Sequence, residues 1–165
     1  MPRLLALAVA LSLLGGCKSK QRLFEEKAKE ATGADEVHVE ENGKRVTLSQ
    51  TDDAGGGAEI EVGREARIPA DFPKNIPIYP GSKIVAAVSM SEHGKRGHLV
   101  TLSAEAPADD VVAYYKKRLP DLGKLQEVGI GGMRVLTVEP AGMKISATIS
   151  TNGAGTTIQL SALPT

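Results

Sequence analysis

Met143-Lys144-Ile145-Ser146-Ala147-Thr148-Ile149-Ser150-Thr151-Asn152-Gly153-Ala154-Gly155-Thr156-Thr157-Ile158-Gln159-Leu160-Ser161-Ala162-Leu163 is the stretch on which the fold turns. Ile145, Ala147 and Ile149 alternate with Lys144, Ser146 and Thr148, and after a break Ile158, Leu160 and Ala162 alternate with Thr157, Gln159 and Ser161. A period of two puts one set of side chains on each face of a strand, so each run is a strand with one buried face. Asn152-Gly153-Ala154-Gly155 supplies the turn residues of a hairpin between them. An antiparallel sheet with one apolar face follows, and that face needs a cover.

The cover lies upstream. Pro107 to Leu119 reads as an amphipathic helix, with Ala108, Val111, Val112, Tyr115 and Leu119 as its apolar stripe. Pro107 suits a first helical position, Asp109-Asp110 and Lys116-Lys117-Arg118 complement the dipole at the two ends, and Pro120 stops the helix. Lys124 to Ile130 then leads into Gly131-Gly132, Met133 to Glu139 returns, and Pro140-Ala141-Gly142 closes the turn into the hairpin. Ahead of the helix, Ser82 to Glu92 carries Ile84, Ala86, Val88 and Met90 on one face. His93-Gly94-Lys95-Arg96-Gly97 makes a turn, and His98 to Ala104 returns with Val100 and Leu102 inward. The expected class is α+β: residues 82-165 form an antiparallel sheet of order ββαβββ with one packed helix, preceded by a short helix and a small β-hairpin region.

Residues 68-81 form a proline-rich strap. In Ile68-Pro69-Ala70-Asp71-Phe72-Pro73-Lys74-Asn75-Ile76-Pro77-Ile78-Tyr79-Pro80-Gly81 each proline follows a large apolar residue and drives it into extended geometry. Such a strap can lay Ile68, Phe72, Ile76 and Tyr79 on an apolar surface. Residues 36-67 read as a small β region. Val37 and Val39 run to the turn dipeptide Asn42-Gly43, Val46 and Leu48 return, and Ile60 and Val62 follow a glycine-rich loop that includes Asp52 and Asp53. Strands this thin are marginal alone and need support. Residues 17-35 hold a tether helix with Phe24, Ala28 and Ala31 on one face and Glu25 paired with Lys29.

Residues 1-16 carry Arg3, then an apolar run from Leu4 to Leu14 that is too short to span a bilayer, and end in Leu14-Gly15-Gly16 before Cys17, the only cysteine. This resembles the lipobox of bacterial lipoproteins. The resemblance implies a signal peptide cut ahead of Cys17, a thioether to diacylglycerol on its sulfur, and attachment to a membrane through that lipid. In the sorting pattern of such lipoproteins an aspartate after the cysteine holds the protein in the inner membrane. Lys18 at that position implies the outer membrane, facing the periplasm. A second resemblance lies in Phe72-Pro73 … Ile76-Pro77-Ile78-Tyr79-Pro80-Gly81 followed by Tyr114-Tyr115-Lys116-Lys117-Arg118-Leu119. These segments resemble a group of largely uncharacterised envelope lipoproteins and are similar to the helix-grip repeats of the accessory lipoprotein of the barrel-assembly machine. That resemblance implies an α+β domain that binds rather than catalyses.

Composition sets further bounds. The 165 residues balance 20 Lys+Arg against 20 Asp+Glu, so no global field draws the chain to nucleic acid. Aromatics make up 3% and tryptophan is absent, which leaves few stacking surfaces for bases. His93 and His98 flank a turn and are candidate metal ligands, with Glu92 as the near third; their structural alternative is ordinary turn chemistry. Gly-x-Ser-x-Gly, His-Glu-x-x-His and Walker patterns are absent, so no catalytic residue and no cofactor is expected. The expected function is a non-catalytic envelope lipoprotein that binds or scaffolds an envelope protein. The alternatives are a carrier of a small apolar ligand between helix and sheet, and a hydrolase.

Overall fold

The computed structural model of the chain describes residues 18–40, 44–51, 56–63, 65–153 and 155–165. The lipobox residues Leu14, Gly15, Gly16 and Cys17, the Asn42-Gly43 dipeptide and the Asp52-Asp53 pair lie outside them. Helix α1 (Lys18–Thr32) leads into strands β1 (Glu36–Val39), β2 (Arg45–Thr51) and β3 (Gly57–Gly63). After the strap come β4 (Lys83–Glu92), β5 (Lys95–Ala104), helix α2 (Ala108–Arg118) with a 3-10 turn (Leu119–Asp121), then β6 (Gln126–Ile130), β7 (Met133–Val138), β8 (Met143–Asn152) and β9 (Gly155–Pro164). The fold is mixed α+β, and all the strands join one antiparallel sheet of nine in the order β1-β2-β3-β4-β5-β9-β8-β7-β6.

Three differences from the sequence expectation have physical causes. First, four strands follow α2, so the unit reads ββαββββ rather than ββαβββ; Gln126–Ile130 pairs with Met133–Val138 as a strand in its own right. Second, the small β region is continuous with the main sheet, because β3 pairs along β4 from Gly57↔Ser91 to Val62↔Ala86. The support those thin strands needed is the edge of β4. Third, a bulge at Val85 shifts the β4–β5 register between Ile84↔Leu102 and Ala86↔Thr101. One extra residue turns every later side chain to the opposite face. Ala87, not Ala86 or Val88, therefore sits opposite Val100 in the core, while Met90 is 41% exposed. The β4–β5 turn is also tighter than expected: His93 and Gly94, with φ of 50° and 75°, form a two-residue turn and β5 already begins at Lys95.

Registered pairs share a face, so the ladder shows which residues line each side. On one face Ala87, Val100, Leu160, Ala147 and Leu136 fall in one row, and Leu102, Ile158 and Ile149 in the next. Val111, Val112, Tyr115 and Leu119 cover them, together with Phe72 and Ile76 from the strap. Tyr114 fastens the strap to α2: its hydroxyl donates to the Ile78 carbonyl at 2.9 Å and its ring meets Tyr79 edge-on at 5.2 Å. On the other face Val37, Val39, Val46, Leu48, Ile60 and Val62 gather around Ala28 of α1. The two helices therefore cover opposite faces at opposite ends of one sheet. Glu25 and Lys29, expected to pair along α1, reach the sheet instead: Glu25 Oε1 accepts from Val39 N at 3.1 Å, and Lys29 Nζ donates to the Asp35 carbonyl at 2.8 Å.

Candidate functional site

The face that carries α2 at one end continues under the strap across β3, β4 and β5. There a cleft of about 480 Å³ opens between Arg67 with the strap residues Ile68 to Asp71 on one side and the strand residues Glu59, Glu61, Ala87, Ser89 and Arg96 on the other. The bulge at Val85 makes this site. It brings Ala87 and Ser89 to the strap side, where the uninterrupted alternation would have placed Ala86, Val88 and Met90. A small residue at 87 and a hydroxyl at 89 leave room beneath Pro69 and Ala70.

Asp71 stands at the centre. Its Oδ2 takes a 2.6 Å hydrogen bond from Arg96 Nη1, and its Oδ1 lies 3.9 Å from His98 Nε2. The Arg96 hydrogen bond holds the Asp71 carboxyl below the usual carboxylate value, against a smaller opposing effect of burial. His98 is 3% exposed, and Phe72 packs edge-on against its ring at 5.9 Å. Its Nδ1 lies 3.2 Å from Ser89 Oγ across the β4–β5 ladder. With a proton on Nε2, the ring accepts from the serine hydroxyl and points its N–H toward Asp71. On the β3 side, Glu61 Oε1 accepts from the Arg67 backbone N–H at 2.7 Å and lies 3.7 Å from Arg45 Nη1. Among the described residues the Glu59 carboxylate and the Arg67 guanidinium have no charged partner, and both line the cleft.

Comparison with protein-family models, with characterised proteins and with solved structures finds no match to this chain. The site must be read from its own chemistry. Serine, imidazole and carboxylate stand in one line, as they do in acyl-transfer enzymes. Two features separate them from such a centre. Nδ1 faces the serine and Nε2 faces the carboxylate across a gap too long for a hydrogen bond. Ser89 also lies within a strand paired on both sides, to Glu59 in β3 and His98 in β5, so the neighbouring backbone N–H groups serve the ladder and not an oxyanion. What the cleft offers is fixed charges of both signs, held by the strap over a rigid floor.

His93 and His98 are not brought together. His93 is at the turn tip with an 84% exposed side chain, its Nδ1 3.7 Å from Glu92, whereas His98 is buried farther along β5 opposite Ser89. Among the described residues no group of three His, Cys, Asp or Glu side chains could hold a metal ion. The remaining isolated histidine, His38, is exposed on β1. Asp109 and Asp110 stay at the exposed first turn of α2, the structural role expected of them. Sequence reasoning missed Asp71 and Ser89 as neighbours of His98, and Arg67 and Arg96 as residues of the adjoining cleft. The available signal was Asp71, the one acidic residue of the strap, directly beside the buried Phe72.

Under α2 the sheet carries the most deeply buried side chains of the described residues. Tyr115, Leu119, Leu136, Ile158 and Leu160 are fully buried against one another. The Tyr115 hydroxyl lies near the Tyr79 backbone without a hydrogen-bond partner among the described residues, and burial pushes its pKa up. No helix among the described residues is long and apolar enough to cross a membrane.

Proposed function

We propose that this chain is a non-catalytic envelope lipoprotein: cut ahead of Cys17, held by acyl groups on that residue at the outer membrane, and using the cleft beneath the strap to bind another envelope component. The observation that carries the binding role is the cleft itself, where Glu59 and Arg67, without a charged partner among the described residues, present opposite charges beside the fixed Asp71–Arg96 pair. A partner with complementary charges would gain hydrogen bonds there without breaking any that the domain already makes. The anchoring role rests on Leu14-Gly15-Gly16-Cys17, and α1 begins at the next residue, Lys18, so the domain would sit close to the membrane surface. Two or three acyl chains suffice for stable attachment, since each buried methylene contributes about 0.8 kcal/mol.

Affinity purification of the tagged full chain from crosslinked cells, beside a Cys17→Ala version, tests this reading. A defined set of envelope proteins that depends on Cys17 supports it; co-purification of lipid or small molecules alone sinks it. The hydrolase reading is favoured by one observation, the Ser89–His98–Asp71 line. A serine-reactive fluorophosphonate distinguishes the two readings, because labelling at Ser89 that disappears in His98→Ala would replace binding by acyl transfer. The apolar-carrier reading is the least supported, because Tyr115, Leu119, Leu136, Ile158 and Leu160, which would line such a pocket, are fully buried in one cluster.

A further inference from the structure

The two edges of the sheet are finished differently. At the β1 edge the strand is short, α1 lies against it, and the outward N–H of Val39 is taken by Glu25. At the other edge every residue of β6 is exposed, with Val128 at 53% and Ile130 at 58%, and β6 pairs only with β7. Natural sheets cover, shorten or charge such an edge, because its unpaired backbone groups accept another strand. Here Val128, Ile130 and Met133 (41% exposed) lie on the same face by register and extend the apolar surface beside the open edge.

We propose that β6 pairs with β6 of a second copy of this chain, antiparallel about a two-fold axis at Val128. The turn geometry fixes which backbone groups are free. Gly131 and Gly132 have φ of 54° and 86°, the type I′ pattern, in which the flanking pair Ile130 and Met133 carries the ladder hydrogen bonds. Alternation from that pair turns the N–H and C=O groups of Val128 toward β7 and those of Glu127 and Gly129 outward. With the axis at Val128, Glu127 of one copy meets Gly129 of the other, and the outward groups of both satisfy each other.

The side chains agree with this register. On the apolar face Val128 meets its own mate, with Ile130 and Met133 alongside. On the other face Glu127 lies over the bare Gly129 of the second copy, and next to that glycine in the ladder stands Arg134. Opposite charges are thus adjacent across the axis. A register centred on Glu127 would set two carboxylates against each other. Because the β1 edge is capped, the pairing stops at two copies rather than running on as a fibre.

Oxidative crosslinking of the full chain in mild detergent tests the register, with the parent chain controlling for Cys17. A non-hydrogen-bonded pair brings Cα atoms to about 4.5 Å, within disulfide reach, whereas diagonal neighbours stand about 7–8 Å apart. Val128→Cys is expected to form a disulfide-linked dimer at least about fivefold more efficiently than Glu127→Cys or the parent. Val128→Lys with Ile130→Lys, on a strand that is already exposed, is expected to weaken self-association about tenfold or more without changing thermal unfolding at low concentration. A monomeric mass at every concentration, equal crosslinking at 127 and 128, or adducts only with another protein would each overturn the proposal.

Discussion

Among the described residues, eighteen buried ones from the strands, the helix and the strap make the larger core at the α2 end of the sheet; at the α1 end five, Ala28 among them, gather on the opposite face. One continuous ladder carries both, so β1 to β3 need no core of their own size. They take their order from β4. The larger core gives a stiff floor, and the cleft lies where that floor passes from α2 to the strap. One sheet can therefore be a rigid scaffold on one side and a lightly covered surface on the other.

Substitutions in the two cores should separate them most clearly. Leu160→Ala leaves a cavity in a fully enclosed site and should cost about 4 kcal/mol in urea unfolding; Leu48→Ala, under a single helix that can settle, should cost about 2 kcal/mol. Equal losses would mean that the smaller cluster is as tightly built as the larger. Gly63→Ala comes next, because Gly63 has φ of 129° and an added Cβ would collide with the Lys44 carbonyl oxygen. That change should cost about 2–3 kcal/mol and raise hydrogen exchange in β1 to β3 while sparing β8 and β9. Glu25→Ala removes the acceptor for Val39 N–H and should cost about 1 kcal/mol, again confined to the β1 end.

The smallest effect concerns the strap. Asp71 and Arg96 are partly exposed, so Asp71→Asn should cost about 0.5 kcal/mol or less near neutral pH. The sign of its pH dependence is fixed. A carboxyl whose folded pKa lies below its unfolded one contributes in full above about pH 4 and loses that contribution as pH falls through the folded value. The acid limb of the wild-type stability curve should therefore be steeper than that of Asp71→Asn.

The alternation of Ile145 to Ala162 and the stripe of Val111, Val112 and Tyr115 made the α2 core legible in the sequence, because polar and apolar residues change places there at every step. Around Val85 they do not. Ile84-Val85-Ala86-Ala87-Val88 is apolar throughout and fits either phase, so only the packed ladder shows the bulge. The site was hidden for the same reason: with Ser89 assigned to the outer face, His98 had no visible partner except His93. The joining of β3 to β4 was hidden because the strap lies between them in sequence, and no local pattern records which edge a thin strand will choose. The burial of Phe72 and Ile76 was legible in the strap, but its path was not: it runs as successive turns rather than extended, with Phe72 N–H donating to the Pro69 carbonyl at 3.0 Å and Ile76 N–H to the Pro73 carbonyl at 3.1 Å.

A photo-crosslinking amino acid placed at position 70, in the strap over the cleft, and separately at position 113, on the exposed side of α2, tests the binding role in living cells. A defined protein adduct from position 70, absent from position 113 and lost in a Glu59→Gln, Arg67→Gln variant, is the predicted result. Adducts from position 113 alone, or equal adducts from both positions that survive in the double variant, would contradict the assignment of function to the cleft.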